Sequence, residues 1–85
     1  KESNSIEQRH TKFFIQVFAT SNKDLAKNTA LALSTLYQQN VVFPKHQGVY
    51  RIQIGPFNEQ FDTREIINTL KRSGYPNAYR RKILQ

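Results

Sequence analysis

Between Gly48 and a Gly55-Pro56-Phe57 stop the chain alternates in period two, which places Tyr50, Ile52 and Ile54 on one side of an extended segment and Val49, Arg51 and Gln53 on the other. One side is apolar enough for a core; the other carries a cation and an amide. Phe13-Phe14-Ile15-Gln16-Val17-Phe18-Ala19 repeats the pattern, with Ile15 and Val17 opposite Phe14, Gln16 and Phe18. Two strands of this kind predict a sheet with one face packed against another layer and an open face that binds something. Gly55 and Pro56 continue a ladder poorly, so the strand that begins after Gly48 is expected to end there.

The intervening segments carry helical spacing. Thr20, Ser21 and Asn22 offer turn and N-cap chemistry, Asp24 suits a first helical turn, and a helix is predicted to run to about Gln39. Its apolar stripe is expected at Leu25, Ala26, Thr29, Ala30, Leu33, Leu36 and Tyr37, with Leu31 off it. A short strand Val41-Val42-Phe43, closed by Pro44, leads through Lys45, His46, Gln47 and Gly48 into the alternating segment. A second helix is predicted from about Glu59 to Arg72. Asn58 is its candidate cap, Thr63, Ile66, Ile67 and Leu70 form its buried stripe, and Gly74 stops it. A last strand follows from Asn77 to about Leu84, with Ala78 inward. The order β-α-β-β-α-β predicts an α+β two-layer sandwich of the ferredoxin-like or RNP-like kind, a four-stranded antiparallel sheet with both helices on one face.

At 85 residues this is one domain with a small core and a stability of only a few kcal/mol. Residues 1–11 are polar apart from Ile6 and read as the end of a flexible linker, leaving 12–85 as the folded domain. The chain has no cysteine, which excludes disulfides and thiolate metal sites, and no apolar run of membrane-spanning length. No cofactor or metal is expected. Thirteen Lys and Arg against six acids, a formal charge of +7, point to an anionic or carboxylate-bearing partner. The bland alternative is that these cations solvate a small, sticky domain.

Alternation assigns the free face Phe14, Gln16 and Phe18 from the first strand, Val49, Arg51 and Gln53 from the third, and Tyr79 and Arg81 from the last. In this topology the first and third strands are central, so Gln16 and Arg51 lie near the middle. A guanidinium grips carboxylates in a fork, an amide both donates and accepts, and aromatic rings stack on sugars or bases.

Phe14-Ile15-Gln16-Val17, Tyr50-Arg51-Ile52-Gln53-Ile54-Gly55-Pro56-Phe57 and the Leu70 to Gly74 helix end together resemble a SPOR domain, over about Lys12 to Leu84. The resemblance implies the same fold and a non-enzymatic peptidoglycan-binding module of bacterial cell-division and cell-wall proteins. It also implies that the ligand is a glycan strand stripped of stem peptides, bound on the uncovered sheet face. Carried over by position, it implicates Gln16, Arg51, Val49 and Tyr79. It implies a periplasmic or cell-envelope location, with placement at the septum, and other division or cell-wall proteins as further partners. Nucleic acid is not an expected partner, and any membrane contact would come from parts of the parent protein outside this sequence. Where the family usually has Gly-Ser-Phe after the first-strand motif, this chain has Phe18-Ala19-Thr20, with Phe18 a candidate stacking surface. Removing a stem peptide frees a lactyl carboxylate on each muramic unit, for which Arg51 is the expected anchor and Arg81 a second.

Two other readings compete. RNA-recognition modules share the topology and stack bases on aromatics of the central strands, but Gly48 to Ile52 lacks the aromatic-rich third-strand signature. A protein-binding module of the cell envelope would use the same exposed aromatics. Catalysis is poorly supported: His10 and His46 have no paired carboxylates or activated nucleophile nearby, and there is no glycine-rich phosphate loop.

Overall fold

The computed structural model describes residues 11–84. Its elements run β1 (Thr11–Thr20), α1 (Lys23–Tyr37), β2 (Val41–Val42), β3 (Lys45–His46), β4 (Val49–Asn58), α2 (Arg64–Arg72) and β5 (Tyr79–Leu84). The linker expected over 1–11 lies outside the described residues, except for Thr11, which opens β1. The sheet is antiparallel in the order β2-β4-β1-β5, with β3 also paired to β4, so the two long strands are central. It has five strands rather than four, because Lys45 and His46 pair with Tyr50 and Val49. Gln47 (φ 53°) and Gly48 (φ 80°) make the two-residue turn between them. Left-handed backbone at both turn positions matches the twist of the flanking strands.

Both helices lie on one face. Ile15, Val17, Ile52 and Ile54 from the strands form a single buried cluster with Ala26 and Leu33 of α1 and Leu70 of α2. The predicted α1 stripe is narrower than expected. Ala26, Ala30 and Leu33 are buried, but Leu25 is 46% and Leu36 68% exposed, because a single helix on a sheet dries only the side that meets the strands. Leu31, expected off the stripe, is 65% exposed. Asn22 caps α1, its Oδ1 accepting from the Leu25 N–H at 3.0 Å. The Tyr37 hydroxyl meets Thr69 Oγ1 at 2.8 Å. Since Thr69 already donates to the Ile66 carbonyl, Tyr37 is the donor, tying one helix to the other.

β4 does not stop at Gly55-Pro56. It passes through that point in a bulge, with Ile15 opposite Ile54 but Phe13 opposite Phe57, and runs on to Asn58. Asn40 holds the bulge, receiving the Gly55 N–H at its carbonyl (2.8 Å) and donating Nδ2 to the Gly55 carbonyl (3.2 Å). The longer strand displaces α2, which begins at Arg64 instead of Glu59, so Asn58 is a strand end and not a cap. Asp62 serves the helix entry, accepting from the Arg64 N–H and pairing with its guanidinium at 2.8 Å. That pairing holds the Asp62 carboxyl well below the usual carboxylate range and raises Arg64. At the other end Tyr75 N–H returns to the Leu70 carbonyl and Gly74 takes φ 106°, a Schellman stop. β5 starts at Tyr79, two residues later than predicted, with Ala78 buried as expected.

Arg80 faces the helix side, opposite Ile15. Its guanidinium lies 3.7 Å from the Phe13 ring centroid and donates to the carbonyls of Glu59 and Phe61. It clamps the β4–α2 connection.

Candidate functional site

No described element packs over the sheet face opposite the helices. Register fixes what stands there. Across the middle, Gln53 of β4, Gln16 of β1 and Tyr79 of β5 form one row. One step along, Ala19 sits opposite Arg51; two residues the other way, Phe14 sits opposite Arg81.

Gln16, Val49, Arg51, Tyr79 and Arg81 line a shared open trough of about 460 Å³. Ala19, His46 and Gln47 complete it. No acid lines it. Among the described residues, neither an ion pair nor a hydrogen bond engages the Arg51 guanidinium, and the one ion pair is Arg64–Asp62 on the far side of the fold. The short side chain of Ala19 opposite Arg51 leaves that guanidinium room. Gln16 Oε1 accepts from Arg81 Nη1 and from Gln53 Nε2, both at 3.3 Å. Two donors on one oxygen fix the Gln16 amide and leave its Nε2 end available to a ligand.

Phe14 and Gln53 stand on the same face but in a second depression of about 550 Å³, bordered by Val41, Val42, Phe43 and Pro44 at the β2 edge. Phe18 is in neither. A bulge in β1 between Gln16 and Phe18 turns it to the helix side, where it pairs with Ile52 and packs against the core. Its ring stacks on Tyr75, with centroids 5.6 Å apart. The period-two reading of β1 therefore fails after Val17: one extra residue flips every later side chain, and Ala19 takes the place expected for Phe18.

Three lining residues escaped the sequence reading. Ala19 needed the bulge. His46 and Gln47 read as solvated hairpin residues, yet the two-residue turn Gln47-Gly48 sets His46 opposite Val49 and hence on the same face, a signal the spacing did contain. Among the described residues no three His, Cys, Asp or Glu side chains gather to hold a metal ion. No helix there is long and apolar enough to cross a membrane.

The trough offers a fork-shaped cation, a fixed amide, a second cation and a half-exposed phenol, groups able to pair with an anion and to hydrogen-bond with hydroxyls. No curated protein and no solved structure matches the chain. A family model does, the SPOR domain, over residues 10–82, almost the whole sequence. SPOR domains are peptidoglycan-binding domains associated with the bacterial cell wall, and this chain belongs to the SPOR domain family.

Proposed function

We propose that the chain is a non-catalytic module that docks on glycan strands denuded of stem peptides, carrying its parent protein to the septal wall of the bacterial envelope. The observation that carries this reading is Arg51, a guanidinium without a hydrogen-bond or ion-pair partner among the described residues, in the lining of an acid-free trough. Amidase removal of the stem peptide exposes a lactyl carboxylate at alternate sugars, while an intact strand presents an amide there. A free guanidinium fork distinguishes the two by charge and by bidentate geometry. Gln16 and Tyr79 lie in the same trough, positioned for sugar hydroxyls and ring faces. Other division or cell-wall proteins are partners of the parent in this proposal.

The single-stranded RNA alternative needs Phe14 and Phe18 side by side on the open face. Phe18 is stacked on Tyr75 against the core, which favours the glycan.

The test is co-sedimentation of the domain with purified sacculi before and after amidase digestion, across a salt series. Binding that rises on digestion and weakens with salt is expected. Equal binding to digested and undigested sacculi would remove the denuded-strand specificity, and binding to RNA but not to sacculi would replace the reading altogether.

A further inference from the structure

The second depression on the open face has a chemistry of its own. Its walls are apolar: Phe14 from β1, and Val42, Phe43 and Pro44 at the sheet edge. Its floor includes Gln53, a polar side chain only 6% exposed. The orientation of that amide is fixed from outside. Arg81 donates to Gln16 Oε1, so Gln16 presents an oxygen, and Gln53 answers with Nε2. The Oε1 end of Gln53 is left over. Among the described residues no donor reaches it, and a buried acceptor without a donor costs free energy until a ligand or water supplies one.

An apolar pocket with one orphan acceptor in its floor complements a small group that pairs an N–H with a methyl. We infer that this depression is an acetamido subsite: it takes the N-acetyl group of an amino sugar, the N–H donating to Gln53 Oε1 and the methyl resting among Phe14, Val42 and Pro44. This rests on the glycan reading and extends it. The carboxylate would be gripped in the trough by Arg51, and an acetamido group, one register row away, across the Gln16–Gln53 hydrogen bond. Recognition then needs two features of the glycan at a set separation, one anionic and one neutral.

The test uses denuded glycan strands chemically de-N-acetylated and then re-acylated with either acetyl or formyl groups. Both products are neutral at nitrogen and keep the N–H; only the methyl differs. The wild-type domain is expected to bind the acetylated strand about fourfold more tightly, the effect of burying one methyl group. In Phe14→Ala and, separately, in Val42→Ala, that preference collapses toward unity while some binding through Arg51 persists. Two sites of truncation guard against a variant that folds poorly. A saturation-transfer NMR experiment on the wild type gives a second readout, with the acetamido methyl protons taking more saturation than the sugar-ring protons. Equal affinity of the wild type for formyl and acetyl strands overturns the subsite and leaves the glycan reading standing. No binding to either strand overturns both.

Discussion

Arg51 and Arg81 look alike in sequence and differ in what the fold asks of them. Arg81 is engaged, holding the Gln16 oxygen, whereas Arg51 is held by nothing in the described protein. Replacing Arg51 removes no hydrogen bond or ion pair among the described residues, so Arg51→Ala is expected to change stability by no more than about 0.5 kcal/mol. Its loss of a charged hydrogen-bonding partner is expected to weaken binding to denuded glycan by about 1.5–3 kcal/mol, roughly ten- to a hundredfold. Arg51→Lys keeps the charge and loses the fork, and falls between. Calorimetric titration beside urea unfolding checks this; an Arg51→Ala variant that binds normally removes Arg51 from the site. The face on which Arg51 stands was legible from alternation, because β4 is regular from Val49 to Ile54, whereas its lack of a cross-strand partner was not. A different residue governs acid behaviour. Hydrogen bonding to Arg64, and its charge, lower the Asp62 carboxyl from its ordinary value of 3.8. A group depressed by folding contributes stability above its unfolded value and loses it as pH falls through that value toward the lower folded one. Asp62→Asn is therefore expected to show a shallower fall in Tm below about pH 4 than the wild type at low ionic strength. Both side chains are largely exposed, so added salt shrinks the difference. Parallel Tm curves would show that the pair does not matter.

At the scale of elements the two bulges decide what the sheet presents. The β4 bulge rests on Gly55 at φ 133°, where an added Cβ would meet the Phe13 carbonyl at 3.0 Å and the Phe14 ring at 3.2 Å. Gly55→Ala joins a backbone conformation that side chains rarely adopt to a clash with the main chain, and is expected to destabilise the domain by about 1–3 kcal/mol. Because Phe14 borders the bulge, the same variant is expected to lose glycan affinity beyond what its residual folding explains. Denaturant melts paired with binding at a temperature where the variant is folded test this, and a variant of unchanged stability contradicts the bulge's role. These bulges also mark where sequence reading stops. Alternation carries a strand only as far as its ladder is regular. Ile15, Val17, Ile52 and Ile54 are buried where the pattern puts them, while Phe18 obeys a register set by the partner strand. Likewise Gly55-Pro56 reads as a stop, but Asn40 bonds both polar groups of Gly55 and lets the strand run on. The start of α2 moved for that reason. Leu25 and Leu36 fit a helical stripe by spacing, and only the number of layers on α1 decides that they stay wet. Local periodicity records which residues prefer burial; the neighbouring strands and helices decide which obtain it.

For the molecule as a whole, the small core and the open site are linked through stability. The residues that bury the helices against the sheet and those that line the trough alternate along β1 and β4, so the proposed binding surface is the reverse of the core. A ligand that binds the native domain and not the unfolded chain stabilises it by about 2.7 kcal/mol at a hundredfold excess over Kd. In a domain of this length each kcal/mol moves Tm by roughly 4–8 °C. Saturating denuded glycan is therefore expected to raise Tm by on the order of 10 °C. Part of that gain is expected to come from long-range attraction between a +7 domain and a string of carboxylates. The shift is expected to shrink as salt rises past about 0.1 M and the screening length drops toward 10 Å or less. What survives in high salt reports the short-range contacts: the Arg51 fork, the Gln16 amide and the apolar shelf at Phe14. Differential scanning fluorimetry with and without glycan separates these contributions in one experiment. Arg51→Ala is expected to melt where the free wild type does and to gain little from the glycan. Phe14→Ala is expected to lose the salt-resistant part of the shift and keep more of the salt-sensitive part. A wild-type shift that vanishes completely in salt would mean that charge alone holds the strand, and that the shaped face contributes no recognition.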